Sequence, residues 1–191
     1  MLEFLQEIDR NLLLKINSWH SPWLDSIMAT LTNGLIWLPF FLLIIGFMIY
    51  KFRWQSIFIL VFTGMVIFLA DRISAGFIKP WVGRIRPSHE PELAFLLHFV
   101  NGYKGGLYSF VSSHAANAFG IATFLWLVLR KQITWIWVMF IWATIFCYTR
   151  IYLGVHYPSD ILGGALVGII IGSLIYKSGG LIPHKLNPLR S

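Results

Sequence analysis

The sequence predicts an all-α fold: a polytopic bundle of transmembrane helices, preceded by an amphipathic helix lying in the membrane interface. Three observations carry this expectation. The chain of 191 residues is 57% hydrophobic and only 12% charged, with a mean hydropathy of +0.70, whereas a soluble domain carries about 25% charged residues to face water. Five stretches approach the roughly 20 apolar residues that a helix needs to cross hydrocarbon. The first turns of the chain show helical rather than span-like patterning.

Residues 2–16 place Leu2, Leu5, Ile8, Leu12, Leu13 and Ile16 at helical spacing, with Glu3, Glu7, Arg10 and Lys15 largely elsewhere on the wheel. Such a helix is too polar to span and belongs in the interface. Ser18-Trp19-His20-Ser21-Pro22-Trp23 ends it, with tryptophans suited to the headgroup level. The predicted spans run from Ile27 to Tyr50, with Pro39 kinking the interior, then from Gln55 to Ile78, Ser113 to Leu129, Ile133 to Tyr148 and Ser159 to Tyr176. Arg130-Lys131-Gln132 joins the third to the fourth, which predicts an antiparallel pair. No repeat, low-complexity segment or linker divides the chain, so residues 1–191 read as one domain.

The net charge is +7, from 15 Lys and Arg against 8 Asp and Glu. Bases flanking spans account for part of it. They are scattered between apolar stretches rather than gathered on one basic face, which argues against nucleic acid as a partner. The single cysteine, Cys147, excludes an intramolecular disulfide, and its apolar neighbours predict an inert buried thiol. The N-terminal residues lack the basic start and apolar core of a signal peptide.

Lys79 to Ser112 is a long polar interruption, and long ordered loops tend to carry function. Alternating spans put the end of the second, the start of the third and the turn Arg150–Asp160 on one membrane face. The loops with Lys51 and Arg53 and with Arg130 and Lys131, and the tail with Lys177, Lys185 and Arg190, fall on the other.

The first face gathers Lys79, Arg86 and Arg150 with His114, His156 and Asp160. Three permanent cations in one region repel one another, so their joint presence suggests an anion between them. A phosphate fits, because the guanidinium fork matches two of its oxygens. An imidazole near its ordinary pKa of about 6.5 can attack phosphorus or donate a proton at neutral pH. His156 lies four residues before Asp160, whose carboxylate could accept the Nδ1–H and leave Nε2 free to attack. Ser112-Ser113-His114 stands where the third span starts, and first-turn N–H groups there make an anion site.

These residues carry a family resemblance. Lys79-Pro80-Trp81-Val82-Gly83-Arg84-Ile85-Arg86-Pro87 resembles the first signature of the type 2 phosphatidic acid phosphatases, Lys, six residues, then Arg-Pro. Ser112-Ser113-His114 resembles the second, usually Pro-Ser-Gly-His, and Thr149-Arg150 through His156 to Asp160 resembles the third. The resemblance implies His156 as nucleophile, Asp160 as its orienting partner and His114 as the acid that protonates the leaving alkoxide and then activates water. It implies Lys79, Arg86, Ser112, Ser113 and Arg150 as the phosphate-binding set, a lipid phosphate substrate, membrane lipids as surroundings, and no metal or other cofactor. Val111, Ser113 and Thr149 stand where the family usually has Pro, Gly and Ser. Of these, Ser113 bears most on geometry, since Gly permits close backbone approach and unusual φ.

Other residues receive blander expectations. Asp71 and Arg72, charged within a span, are read as a structural ion pair, with Arg72 on the same face as Lys79 two turns on and support from beneath the site as the alternative. His89 and Glu90 are read as a solvated loop, Arg84 as reaching either the phosphate or a neighbouring lipid, and Trp81, Tyr103, Tyr108, Tyr152 and Tyr157 as an aromatic belt. Within the family, undecaprenyl pyrophosphate, phosphatidylglycerophosphate, phosphatidic acid and the phosphates of lipid A are all candidate substrates. The alternative class is a transporter or lipid-binding protein that holds anions without chemistry. The hydropathy argues against kinship with the soluble vanadium-dependent haloperoxidases. The expected location is the bacterial inner membrane with the site on the extracytoplasmic face. Nothing in the sequence sets an oligomeric state.

Overall fold

A computed structural model of the chain describes residues 2–178. The N-terminal periodicity becomes α1 (Leu2–Asn17). Asp9, Leu13 and Asn17, one turn apart, are buried against the protein, while Phe4, Leu5, Ile8 and Leu12 remain exposed. A helix that offers apolar side chains outward as well as inward suits the edge of a bilayer. After it come α2 (Pro22–Leu31), which buries none of its residues, and a tight turn over Gly34–Trp37 in which the Asn33 side chain accepts from Leu35 N–H at 3.0 Å.

α3 (Leu38–Phe52) opens with Pro39 in its first turn. The expected span from Ile27 to Tyr50 is therefore two helices, and Pro39 starts one instead of kinking it. At that position its missing N–H would have had no helical partner anyway. Arg53, at φ 52°, reverses the chain into α4 (Ser56–Asp71). The helix widens to π geometry over Arg72–Ile78 and tightens again in α5 (Lys79–Val82), which Gly83 ends in a left-handed conformation. A wider turn breaks the seven-residue register that would have put Arg72 beneath Lys79. Arg72 lies over the Phe68 ring at 5.4 Å, and among the described residues no Asp71–Arg72 ion pair forms.

The long connection contains α6 (Pro91–Ala94) and closes on itself: Arg86 N–H donates to Leu107 and Ser109 N–H to Arg84, both at 2.9 Å. Then come α7 (Ser113–Leu129), α8 (Val138–Tyr152) and α9 (Pro158–Ser178). The fourth span starts five residues later than expected, at Val138 rather than Ile133, because Thr134 to Trp137 form turns. α7 and α9 approach backbone to backbone. A Cβ on Gly168 would lie 2.3 Å from the Ala116 carbonyl oxygen and 2.7 Å from Gly120 N, and one on Gly164 would lie 2.4 Å from the Ser112 oxygen. Between apolar helices in lipid, such small-residue contacts supply the packing that the hydrophobic effect cannot.

Two contacts fix the ends of the bundle. Lys51 donates to the Gln132 carbonyl, so the α3–α4 and α7–α8 turns share one end. Thr32, before α3, accepts from Arg150 at the end of α8 at 2.6 Å, marking the other. Of the basic tail, Lys177 lies in the last turn of α9, while Lys185 and Arg190 fall outside the described residues. Cys147 is buried, as its neighbours predicted.

Candidate active site

Each element delivers its side chain for a local reason. Ser112 is the N-cap of α7: its Oγ accepts from Ala115 N–H at 3.4 Å, and its own N–H donates to the Asp160 carbonyl at 3.0 Å. That second bond ties the start of α7 to the start of α9. Ser113 and His114 follow in the first turn, where unpaired N–H groups face outward along the helix axis. The backbone at Ser113 has no positive φ, so glycine's conformational freedom is not required there. Thr149 spends its hydroxyl on the Phe146 carbonyl at 2.7 Å, within its own helix.

His156 is fully buried in the turn between α8 and α9. Its Nδ1 lies 3.3 Å from Asp160 Oδ2, an oxygen that also accepts from Tyr157 N–H at 2.9 Å. Its Nε2 has no partner within the protein. Burial first, and then the charges of Arg86, Lys79, Arg150 and Arg84, push its pKa well below the ordinary histidine value. His156 is thus a neutral imidazole at pH 7 with one nitrogen held and the other unpaired. His114 lies within electrostatic reach of Arg150, His156, Lys79 and Arg86, and its ring centroid is 5.7 Å from that of Phe146.

The cations share the same space. Arg86 is 5% exposed and Arg150 2%. Arg86 donates to the Tyr108 carbonyl at 3.0 Å, and Arg150 to Thr32 Oγ1 at 2.6 Å and Tyr103 OH at 3.0 Å. Both leave Nε buried and unbonded, and Ser113 Oγ is likewise without a partner. Burial and then the charge of Arg150 lower the proton affinity of Arg86, so an anion between them would relieve both. Gly105 stands against this guanidinium at φ +69°, where a Cβ would lie 2.5 Å from Arg86 Nη1. A cleft of about 450 Å³ opens beside Thr32, Asn101, Tyr103, His114 and Arg150. Phosphate-sized anions fit this chemistry: buried unpaired donors of like charge converge beside an unpaired imidazole nitrogen.

A family model described as the PAP2 superfamily matches residues 54–181, which hold every one of these side chains except Thr32. The chain belongs to the PAP2 superfamily. It is 42% identical over 188 residues to the lipid A 4'-phosphatase of Bacteroides thetaiotaomicron, spanning 97% of this chain and 81% of that protein. It is 32% identical over 177 residues to the lipid A 4'-phosphatase of Porphyromonas gingivalis, spanning 92% and 75%. The fold resembles the crystal structure of a transmembrane PAP2-type phosphatidylglycerolphosphate phosphatase from Bacillus subtilis, with a TM-score of 0.66 at 24% identity over 93% of this chain and 87% of that one.

All eight site residues predicted from the family motifs meet at this one end of the bundle. Several neighbours depart from expectation. Arg84, 24% exposed, pairs with Asp9 at 2.7 Å and Asp160 at 2.9 Å and stacks on Tyr157 at 3.9 Å. Glu90, expected in a solvated loop, accepts from Tyr157 OH. Tyr152 is buried and donates to Asp25 at 2.6 Å, while Tyr157 is 5% exposed, so neither belongs to an aromatic belt. Trp81, 78% exposed, does suit one. Asp9, Thr32 and Tyr103 were missed as neighbours of the site. A threonine in a loop and an aspartate on an amphipathic helix carry no signal that distinguishes them from solvent-facing residues.

Proposed function

We propose that this chain is a metal-independent lipid phosphatase that works through a phosphohistidine, with a phosphate of lipid A as its substrate class. The observation that carries the chemistry is His156: Nδ1 held by Asp160, Nε2 unpaired, and buried cations with spare donors around it. The substrate class is supported by the two lipid A 4'-phosphatases to which the chain is similar over most of its length.

In the first displacement, Nε2 of neutral His156 forms the bond to phosphorus as the bond to the lipid alkoxide breaks. The His156 Nδ1–H stays bonded to Asp160, which balances the charge arising on the imidazole. His114 gives its proton to the departing alkoxide. In the second, His114 takes a proton from water as the oxygen attacks phosphorus, and the P–N bond breaks to return His156. Lys79, Arg86, Arg150, Ser113 and the first-turn N–H groups of α7 hold the equatorial oxygens, whose charge peaks in the transition state. Asp160, with Ser112 as cap, keeps these donors in place.

The whole chain acts as one membrane-embedded domain. The turns with Lys51, Arg53, Arg130 and Lys131 face the cytoplasm under the positive-inside tendency, which puts the site on the extracytoplasmic face of a bacterial inner membrane. A lipid phosphate then enters sideways while its chains stay in hydrocarbon.

The test is phosphate release from a panel of lipid phosphates by the purified chain in EDTA, compared with His156→Ala. The expected result is metal-independent release, fastest from a lipid A phosphate and lost in the variant. Release fastest from phosphatidylglycerophosphate or a polyprenyl pyrophosphate would move the substrate and keep the chemistry. No release from any lipid, with lipid phosphate binding intact in both proteins, would replace the enzyme by an anion-binding carrier.

A further inference from the structure

The proposed chemistry explains the environment of His156 out to Asp160, but Asp160 has a second oxygen, and that oxygen is not free. Asp160 Oδ1 accepts from Arg84 Nη1 at 2.9 Å. The same Nη1 donates to Ser159 Oγ at 2.7 Å, and Nη2 donates to Asp9 Oδ2 at 2.7 Å. Asp9 reaches α9 as well. Its Oδ1 accepts from Ser159 N–H at 2.8 Å, and its Oδ2 from Ser159 Oγ. The Tyr157 ring lies under the guanidinium at 3.9 Å, and Tyr157 OH donates to Glu90. Arg84 is thereby fixed in its plane by a ring and along its edges by two carboxylates and a hydroxyl.

We infer that Asp9 and Arg84 are positioning residues for the reaction: Asp9, on the N-terminal helix, holds the Arg84 guanidinium, which holds Asp160 on His156. The inference rests on the reading of His156 as nucleophile. Three features separate this chain of contacts from an ordinary surface ion pair. Asp9 and Asp160 side chains are 8% and 0% exposed, and Arg84 is 24% exposed, so solvent screens these contacts only partly. The contacts join α1, the loop after α5 and the first turn of α9, elements more than 70 residues apart. Both terminal nitrogens are also engaged: a guanidinium held by Asp9 through Nη2 and by Asp160 and Ser159 through Nη1 is directed at these partners rather than at the phosphate cleft.

Chemistry gives the arrangement a purpose. The imidazole becomes an imidazolium-like phosphohistidine during the reaction, and the carboxylate facing Nδ1 must remain in place and ionised as that charge grows. Asp160 Oδ2 is shared by the imidazole and Tyr157 N–H, and with Oδ1 on a fixed guanidinium the carboxylate plane has one orientation. With Asp9 removed, Arg84 loses the partner opposite Asp160, and the carboxylate gains freedom to rotate away from Nδ1. The loss falls on alignment in the transition state, not on substrate binding.

The test is steady-state hydrolysis of a lipid phosphate by the whole 191-residue chain in detergent micelles, using Asp9→Asn, Asp9→Glu, Arg84→Gln and the Asp9→Asn/Arg84→Gln pair. Outer partners that orient a metal-bound imidazole contribute about tenfold or more; the same orienting role here gives an expected fall in kcat of roughly tenfold for Asp9→Asn, with KM within about twofold. Asp9→Glu recovers most of that loss, and the double variant is no slower than Arg84→Gln alone, as expected of residues acting through one carboxylate. Thermal unfolding of each variant is followed alongside, and Arg84→Lys, which keeps the charge without the fork, serves if Asp9→Asn fails to fold. Wild-type kcat in Asp9→Asn, a change in KM alone, or additive losses in the double variant would overturn the inference. Absence of turnover in the unmodified protein would instead remove the phosphatase reading beneath it.

Discussion

The α7–α9 pair and the α3–α4 hairpin are both apolar, the hairpin the more so, yet they do opposite work. Half of the most apolar window of α9 is buried within the protein, against 17% of that in the Gly34–Val82 stretch. α9 meets α7 through Gly164, Gly168 and Gly172, with helix backbones touching. α3 buries Ile44, Met48 and Phe52 and turns Leu42, Leu43 and Ile49 outward. The first pair carries Ser112, Ser113, His114 and Asp160 and fixes their separation. The hairpin supplies Lys79 at its far end, packs one face of α4 (Ile59, Phe62, Val66, Ala70) into the core and turns the rest to lipid. Hydropathy finds both; only small residues at close spacing distinguish the wall that holds a site from the wall that faces hydrocarbon.

The comparison breaks most sharply at Asp160. Asp160→Asn keeps the shape but offers an amide where Nδ1–H needs a carboxylate, and kcat should fall about 10⁴-fold, as for other histidines held in the wrong tautomer. Steady-state phosphate release measures it. Next comes the scaffold itself. Gly168→Leu forces a side chain into the Ala116 backbone, and overpacking of this kind costs about 1–3 kcal/mol. Thermal unfolding in micelles should show it, with activity falling as α7 and α9 separate.

The pH dependence sharpens the same contrast. His156 has a folded pKa below its unfolded value of about 6.5. The unfolded chain therefore binds this proton first, and the contribution of His156 to stability declines as pH falls below about 6.5. Labelled-histidine NMR should find the His156 ring neutral at pH 6.5, whereas an ordinary exposed histidine is half protonated there. The smallest effect belongs to the lipid wall. Leu43, 62% exposed on α3, should tolerate Leu43→Ala within about 0.5 kcal/mol, with turnover unchanged. A large loss there would mean that the hairpin shapes the site after all.

Much of the site was legible before the structure because its residues stand close in sequence. Lys79 to Pro87, Ser112 to His114 and Arg150 to Asp160 are short motifs, and alternating spans bring them to one face. Asp9 was not legible. It lies 75 residues from Arg84, and a lone aspartate on an amphipathic helix reads as solvent-facing whether or not it is buried. Pro39 misled because an apolar run looks the same whether a proline begins a helix or bends it. The break at Thr32 and Asn33 is carried by a side-chain cap that hydropathy does not register. Asp71 and Arg72 were paired on charge alone, although adjacent residues on a helix point apart. The π widening over Arg72–Ile78 is not marked by any proline or charge pattern within the apolar run that follows Arg72.

The most direct test of the central claim is to trap the intermediate. The unmodified protein and His156→Ala would each be mixed with lipid carrying labelled phosphate, quenched in alkali within the first turnovers and digested. The account predicts label on the peptide containing His156, stable to base and labile to acid, and absent from His156→Ala. Turnover that proceeds with no phosphoryl group on His156, or that survives in His156→Ala, would contradict it.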